Sequence, residues 1–490
     1  MWKKSIVMIL ILCISLHCLS GCSIDEDVEI DGITYTKSQD LTDEKIELSY
    51  YSFEDEAVTR HMVERFMKLY PNIRVNYTCK NRGDYETDLE RIVSNQELPD
   101  IIMYDNSPDF FLGRNLFMDI SKYWEEDTET EELLSTINEC GIGTFQSGVR
   151  YVVPFRYYPG AVFVDLNVLK KLNIEVPPKD WSWDQMLQIV EKARVKAEKS
   201  PDKMDFYGYY SSEYNLGDIY QTAVGGNVKG QSGFNGEKFD LTDWTTGIQA
   251  HIDLCKKDCI SPGNLPNAFF ESTASCDQSA HVAVLIHSFE HFQGTWNAAE
   301  SKKHGFDIVP YVAPAVKGSG TSPDRHNLSK MEFAGISSSC KHPREAYELL
   351  KFMSYGKDGW KTRIQMYGDE KISTGFEPVK TAGMPAPVTK DEEIWQAYKD
   401  MFCEGMDKEH RDYWDYYFDR CKNPIPFGTA VIAGYSDYES NCLRREITGS
   451  QDRVYDRLLS GKYSLKKFIA EAEESLTWYH EQAMNDYFGK

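Results

Sequence analysis

After residue 45 the chain alternates between short runs of β-type residues and longer runs with helical periodicity. The predicted order is strand 46–53, helix 54–69, strand 73–77, helix 85–93 and strand 100–104. In the first helix Val58 and Met62 recur at helical spacing, and Pro71 follows the last apolar position, Leu69. This alternation favours a parallel sheet with crossover helices. Ligands of such open sheets bind beyond the carboxyl ends of the strands.

The rest of the chain is also mixed. Extended segments are predicted at 152–165, 282–286, 306–311 and 333–337, and helices at 168–172, 184–198, 242–257, 344–353 and 465–484. Ser182 is a suitable N-cap for the helix that begins at Asp184. There is no internal repeat and no low-complexity block. The pattern therefore predicts an α/β fold.

The N-terminus is basic and then apolar. Lys3 and Lys4 precede an apolar run over 6–19, which is shorter than the roughly 20 residues of a transmembrane helix. The run ends in the sequence LSGC, whose last residue is Cys22, and this resembles the lipobox of bacterial lipoproteins. The resemblance implies a signal peptide over 1–21, cleavage before Cys22 and a diacylglyceryl group on the Cys22 thiol.

The segment after Cys22 is polar and acidic. Residues 22–45 are predicted to form a flexible, lipidated tether between membrane and globule. No second long apolar run follows in the sequence, so the lipid is expected to be the contact with the outer face of the cell membrane.

Composition limits the number of domains and the classes of ligand. The 490 residues suffice for two domains. A formal net charge of -23 disfavours nucleic-acid binding, which needs clustered Lys and Arg. Aromatic residues make up 13% of the chain, so ring faces for stacking on a sugar are plentiful.

Cysteine spacing indicates neither a disulfide framework nor a metal site. Besides the residues up to Cys22, the chain has Cys79, Cys140, Cys255, Cys259, Cys276, Cys340, Cys403, Cys421 and Cys442. An odd number of widely spread cysteines favours mostly buried thiols. No CxxC pair or Cys/His quartet with zinc spacing is present in the sequence, and no cofactor is predicted.

Enzymatic motifs are few. The sequence H-x-x-E-H at His287, Glu290 and His291 matches a zinc-hydrolase motif if it lies on a helix. It directly follows an apolar strand, however, which disfavours that interpretation. A glycosidase with paired carboxylates stays open. No nucleophile elbow or phosphate-binding loop of the Walker type occurs in the sequence.

Several short motifs occur in an order typical of one family. They are Tyr70–Val75, Leu98–Ile102, Val153–Pro154, Val164–Asn167, Pro177–Met186, Gly225–Asn227, Ala280–Ile286, Ile308–Pro310, Phe333–Ser337 followed by Arg344–Met353, and Leu459–Ala472. In this order the chain resembles the extracellular solute-binding proteins of bacterial ABC transporters, of the sugar-binding type related to maltodextrin-binding proteins. It departs from the family pattern at Asp165, where Tyr is usual, at Ser182 and Asp184, and before Val282.

The resemblance implies a two-lobe, periplasmic-binding-protein-like α/β fold of type II, with the ligand cleft between the lobes. One lobe would comprise 46–154 and 335–423, and the other 155–334 and 424–490. The chain would cross between lobes near 153–158, 333–337 and 423–428, where hinge residues absorb closure.

The resemblance also implies which residues face the ligand. Sugar sites combine aromatic faces with carboxylates, amides and Arg that hydrogen-bond hydroxyl groups. Carried over position by position, the candidates are Tyr51, Glu54, Tyr104, Asp105, Arg156, Tyr157, Tyr158, Tyr214, Asn215, Phe289, Glu290 and Tyr435.

The function expected from the resemblance is capture of a mono- or oligosaccharide and its delivery to an ABC transporter permease. The protein would be a monomer that performs no covalent chemistry. Besides the glycosidase, two alternatives stay open. One is the zinc-dependent hydrolase, and the other is a surface lipoprotein that kept the fold without a transport role.

Overall fold

A computed structural model describes residues 26–104, 107–139, 141–200, 206–211, 216–224, 233–260, 282–288, 305–316, 326–369, 384–426, 428–439, 441, 457–458 and 461–489. These residues form a two-stranded hairpin and a nine-stranded mixed sheet with helices packed against it.

The strands define the position of the site. The hairpin consists of β1 (Glu26–Ile30) and β2 (Ile33–Lys37), and the sheet of β3 (Ile46–Ser52), β4 (Ile73–Cys79), β5 (Ile101–Tyr104), β6 (Val152–Asp165), β7 (Tyr207–Ser211), β8 (Val282–Ser288), β9 (Ile308–Tyr311), β10 (Asn327–Ile336) and β11 (Pro424–Pro426). The order is β4-β3-β5-β10-β6-β8-β7, with β11 on β10 and β9 on β6. β3 runs parallel to both β4 and β5, as the crossover pattern predicts.

The helices agree with the predicted ones to within a few residues where both exist. They are α1 (Glu56–Leu69), α2 (Arg82–Ser94), α3 (Asp109–Leu112), α4 (Ser121–Glu126), α5 (Ser135–Glu139), α6 (Leu166–Lys171), α7 (Trp183–Glu198), α8 (Leu216–Val224), α9 (Thr242–Lys256), α10 (Pro343–Met353), α11 (Lys357–Gly368), α12 (Glu392–Phe402), α13 (Lys408–Phe418), α14 (Gly428–Val431), α15 (Tyr435–Tyr438) and α16 (Leu465–Phe488), with a 3₁₀ turn at Thr128–Glu132. Among the described helices, none is long and apolar enough to cross a bilayer.

Local capping explains where several helices begin. The Asp55 carboxylate accepts hydrogen bonds from the first backbone N–H groups of α1. Ser182 caps α7 in a reciprocal capping box with Gln185, which confirms the predicted N-cap. Asp165 caps α6, so the residue that departs from the family's Tyr has a structural use of its own here.

Two apolar cores share β6, which is buried along its whole length. The first half of β6 pairs with β10, and the second half pairs with β8 and β9. The larger core packs β3–β5 with α1, α10 and α12, whereas the smaller one packs the end of β6 with α7. β6 therefore runs from one part of the sheet into the other.

The prediction of a flexible tether over 22–45 is wrong from Glu26 onward. Asp31 and Gly32 both adopt positive φ and form the two-residue turn of the β1–β2 hairpin. Tyr35 on β2 is fully buried, and its hydroxyl accepts a hydrogen bond of 2.6 Å from Arg65 of α1. The same hydroxyl lies 3.0 Å from Thr362 Oγ1 of α11. The segment is acidic and was therefore interpreted as a tether. It nevertheless contains a hairpin signal, the Asp31-Gly32 turn between two stretches of alternating apolar residues.

The described cysteines are free thiols. They are Cys79, Cys255, Cys259, Cys340, Cys403 and Cys421, of which Cys259, Cys403 and Cys421 are buried. Burial raises the pKa of Cys403 to about 12, so this thiol stays protonated and unreactive at neutral pH. Cys22, Cys140, Cys276 and Cys442 lie outside the described residues.

Candidate ligand-binding site

Polar and charged side chains meet where β3 and β5 end beside the long strands β6 and β10. Tyr104, the last residue of β5, pairs with Phe333 of β10. The next residue toward the start of β10, Glu332, pairs with Arg156 of β6. Glu54 follows the end of β3. This is the edge at which open α/β sheets bind ligands.

This region contains a buried ion pair between Glu54 and Arg363. Arg363 of α11 donates to both carboxylate oxygens of Glu54, at 2.9 and 3.4 Å, and to the carbonyl of Met353 at 2.9 Å. Arg363 is 1% exposed and Glu54 is 3% exposed. Burial opposes the charge on Arg363, but Glu54 outweighs this and holds the pKa of Arg363 above its usual value. Both ions are therefore fixed in place by each other.

A second group, the β6–β10 patch, consists of Arg156, Tyr158, Lys330 and Glu332. Arg156 pairs with Glu332 and Tyr158 with Lys330 across the antiparallel ladder, so the four side chains share one face. Arg156 Nε donates to Glu332 Oε2, and Lys330 Nζ lies 3.8 Å from Glu332 Oε1. Lys330, which is 29% exposed, marks the solvent edge of the patch.

Electrostatics keep the patch charged. Burial acts against the charge of Arg156, yet Glu332 overcomes it and keeps the Arg156 pKa above the normal value. The guanidinium carbon lies 5.2 Å from the ring centre of Phe53 and 5.6 Å from that of Tyr158. Tyr367 of α11 lies close by, and burial raises its pKa to about 12. The region thus combines fixed charges with aromatic rings, as sugar sites do.

Of the residues predicted from the sequence, the structure brings Glu54, Arg156 and Tyr158 close enough for the charge of Arg156 to interact with both of the others. Tyr51, Tyr104 and Tyr157 lie elsewhere. The Tyr51 hydroxyl donates to Asp88 at 2.8 Å beneath α2. Tyr104 stacks on Phe333 with ring centres 5.6 Å apart.

Tyr157 and Tyr435 also face other neighbours. Tyr157 alternates with Arg156 and Tyr158 along β6, so it lies on the opposite face, where its hydroxyl donates to the Cys421 carbonyl. Tyr435 is half-buried and packs on Phe239 with ring centres 6.2 Å apart. Neither is part of the cluster around Arg156.

The remaining predicted site residues lie outside the described residues. They are Asp105, Tyr214, Asn215, Phe289 and Glu290.

Sequence reasoning did not find Arg363, Lys330, Glu332 or Tyr367. A usable signal existed for Glu332, because this charged residue directly precedes the apolar stretch Phe333–Ile336. Predicting that strand from residue 333 onward placed Glu332 just outside it. Arg363 and Tyr367 carry no such signal, since charged and aromatic residues are ordinary on a helix.

A polar cavity of about 450 Å³ opens elsewhere, beside α10. Its walls include Arg344, Glu348 and Lys351, and each of these is already in an ion pair: Arg344 with Glu348 at 3.0 Å, and Lys351 with Asp127 at 2.8 Å. Those charges are satisfied within the chain. The cluster around Arg156 lies at the strand ends, where open α/β sheets bind ligands, and this position makes it the better candidate.

The zinc-hydrolase alternative gains no support. It requires the two histidines of the H-x-x-E-H motif on one helix. His287 instead lies in β8, with its backbone paired to Ala161 of β6. Glu290 and His291 lie outside the described residues, and no cluster of metal-binding side chains occurs within the described part of the chain.

The fold and the position of the site define a two-lobe α/β solute-binding protein. Residues 50–354 match the family model described as bacterial extracellular solute-binding protein, and the chain belongs to this family. Among curated protein sequences, none matches the chain significantly.

Solved structures support the fold. An ABC substrate-binding protein from Listeria monocytogenes, in complex with cycloalternan, is 16% identical, with a TM-score of 0.60 over 88% of this chain and 98% of that one. A sugar transporter from Rhizobium etli in an open conformation is 13% identical, with a TM-score of 0.63 over 88% and 99%. The sugar-binding protein MalE from Xanthomonas citri is 12% identical, with a TM-score of 0.61 over 89% and 98%.

Proposed function

We propose that this chain captures a carbohydrate in a cleft between its lobes and delivers it to the permease of an ABC transporter. The observation that carries the proposal is the β6–β10 patch, which combines buried charge with aromatic rings at the strand ends of a solute-binding fold. Similar structures bind carbohydrates such as cycloalternan, which supports a sugar ligand. The role involves binding and release without covalent chemistry.

The lobes are proposed to be 46–154 with 335–423, and 155–334 with 424–490. β6 supports this division because it pairs with β10 and then with β8 and β9. β11 also supports it, since it joins β10 at the third proposed crossing, near 423–428. The β6–β10 patch then lies on the hinge strands, where closure would bring both lobes to the ligand.

A thermal-unfolding screen tests capture. Mono- and oligosaccharides, amino acids and peptides are added to the purified protein, and a ligand that binds only the folded state stabilises it by about 3–4 kcal/mol at 100 to 1,000 times Kd. We expect a sugar to raise the melting temperature and Arg156→Gln to abolish most of that rise. The matched control is Arg74→Gln, an exposed residue on β4 that should respond as wild type does. A shift with amino acids or peptides only, or with nothing, contradicts the proposal and favours a surface protein without sugar capture.

Anchoring by lipid on Cys22 is a second part of the proposal, supported by the LSGC sequence after an apolar run. The Cys22→Ala form should bind ligand normally but appear in the medium after cell fractionation. Cys255→Ala, which leaves the proposed lipidation site intact, should stay in the membrane fraction. If the Cys22→Ala form also stays there, the anchor is wrong.

A further inference from the structure

The two buried arginines of the site differ in what their guanidinium groups contact. Arg363 uses both Nη groups on Glu54 and on the Met353 carbonyl. Arg156 uses its Nε on Glu332, and within the described residues neither of its Nη groups has a hydrogen-bond partner. Neither Nη group is a fully enclosed polar atom without a partner in the described part of the chain, so each keeps at least slight contact with solvent. Arg156 thus offers a two-pronged donor in a side chain only 7% exposed.

The patch around this donor has a net positive charge. Arg156 and Lys330 each contribute one positive charge and Glu332 one negative charge, which leaves one positive charge in excess. Glu54 and Arg363 cancel each other. A positive site is unusual for a chain with a formal net charge of -23, so it is a local feature rather than a reflection of composition.

We infer that the carbohydrate carries a carboxylate, as a uronic acid does, and that Arg156 binds this group through its two Nη groups. This inference rests on the proposed capture of a sugar and specifies its chemical class. A planar guanidinium fork matches a carboxylate in geometry and charge. Lys330, at the solvent edge, supplies the second positive charge that attracts the acid as it approaches.

A neutral sugar fits the patch less well. Hydroxyl groups would satisfy the Nη donors but would leave the net positive charge of the patch without a counter-charge from the ligand. A carboxylate accepts hydrogen bonds from the Nη donors and also balances the positive charge. The rings of Phe53 and Tyr158, with centres 5.2 and 5.6 Å from the Arg156 guanidinium carbon, supply apolar surface for the C–H groups of the sugar ring.

The test compares acidic and neutral sugars of the same stereochemistry. Galacturonate and glucuronate, with their short α-1,4 oligomers, are titrated against galactose, glucose and the corresponding neutral oligomers by calorimetry at low and high salt. The protein is the Cys22→Ala form of the full chain. We expect the acids to bind about 30-fold more tightly or better, with an affinity that falls as salt rises.

Three variants assign the effect to residues. Arg156→Gln should weaken acid binding by about 30-fold or more, since it removes the buried partner of the carboxylate. Arg156→Lys keeps the charge but loses the fork, and should recover only part of the affinity. Lys330→Gln, at the exposed edge, should leave folding intact and mainly reduce the salt dependence. Far-UV circular dichroism and melting temperature show whether each variant is folded.

Two results would overturn the inference while leaving sugar capture intact. One is neutral sugars that bind as tightly as their acids, with Arg156→Gln weakening both equally. The other is selective binding of sulfated or phosphorylated sugars in place of uronic acids. Binding of no sugar at all would overturn the proposed function together with this inference.

Discussion

Glu54 and Arg363 are the most completely buried ion pair of the candidate site, and burial makes their mutual dependence strong. Removing one partner of such a pair leaves the other charge uncompensated at low exposure. Exposed pairs such as Arg74 with Glu47 contribute far less, since water and salt screen them.

Arg363→Met is therefore expected to lower the free energy of unfolding by about 3–5 kcal/mol. Urea unfolding measures this loss. Arg74→Met, which breaks an exposed pair, should cost no more than about 1 kcal/mol. The double variant Glu54→Gln with Arg363→Met should recover part of the lost stability, because it removes the buried unpaired charge. A single variant as stable as wild type would show that the pair is not buried in solution.

His251 makes stability depend on pH. Burial lowers its pKa to about 4, compared with about 6.5 in an unfolded chain. Between these values the unfolded chain binds more protons, so the stability contributed by neutral His251 is lost as the pH falls. Between pH 7 and pH 5 this loss amounts to about 2 kcal/mol.

His251→Phe keeps an aromatic ring against Tyr209 and removes the titration. Urea unfolding at pH 7 and pH 5 should show a smaller loss of stability in this variant than in wild type. Identical losses in the two proteins would mean that His251 is accessible to protons in the folded state.

At the scale of single residues, the sequence predicted three residues that lie in one cluster. Glu54 follows a strand end, which is a local property, whereas Arg156 and Tyr158 were carried over from the family resemblance at the first proposed crossing. Their partners Arg363 and Glu332 were missed, because pairing across the fold leaves no local periodicity. Whether these residues bind a ligand remains a prediction.

At the scale of elements, the β1–β2 hairpin is the clearest difference from expectation. Tyr35 joins the hairpin to α1 and α11 through Arg65 and Thr362. The chain between Cys22 and Glu26 can extend over about 14 Å at most. If Cys22 carries lipid, the docked hairpin keeps this side of the protein near the membrane. A flexible tether over 22–45 would let the protein move further from the membrane.

Replacement of Tyr35 tests whether the hairpin is docked. Tyr35→Ala should lower the free energy of unfolding by about 3–5 kcal/mol through loss of buried packing. Tyr35→Phe should cost about 1–3 kcal/mol, since Arg65 loses a buried acceptor. Glu26→Ala, on the exposed edge of β1, should change little. Urea unfolding distinguishes these variants, and equal stability of all three would mean that the segment is a free tether after all.

β10 shows how an element can extend beyond its apolar run. The sequence predicts a strand from residue 333, yet β10 begins at Asn327. Its first part is held by β6 on one side and β11 on the other. Pairing on both edges stabilises a strand whose own residues, Lys330 and Glu332 among them, look polar in isolation.

At the scale of the whole molecule, β6 and β10 together determine how the two parts of the sheet connect. We expect saturating ligand to close the lobes and to reduce the radius of gyration in small-angle X-ray scattering. A sugar that causes no thermal shift serves as the control and should leave the scattering unchanged. Binding without compaction would contradict closure about these strands.

The sequence by itself determined the alternation of strands and helices, several caps, the α/β class and, through ordered motifs, the family. These features depend on neighbours along the chain, where periodicity and capping act. Tertiary structure alone decided that Glu54 meets Arg363 and that Arg156 meets Glu332, because the partners lie 309 and 176 residues apart. It also decided that an acidic N-terminal segment docks as a hairpin, since the burial of Tyr35 depends on helices far along the chain. Long-range burial sets the chemistry of this site, and local pattern does not encode it.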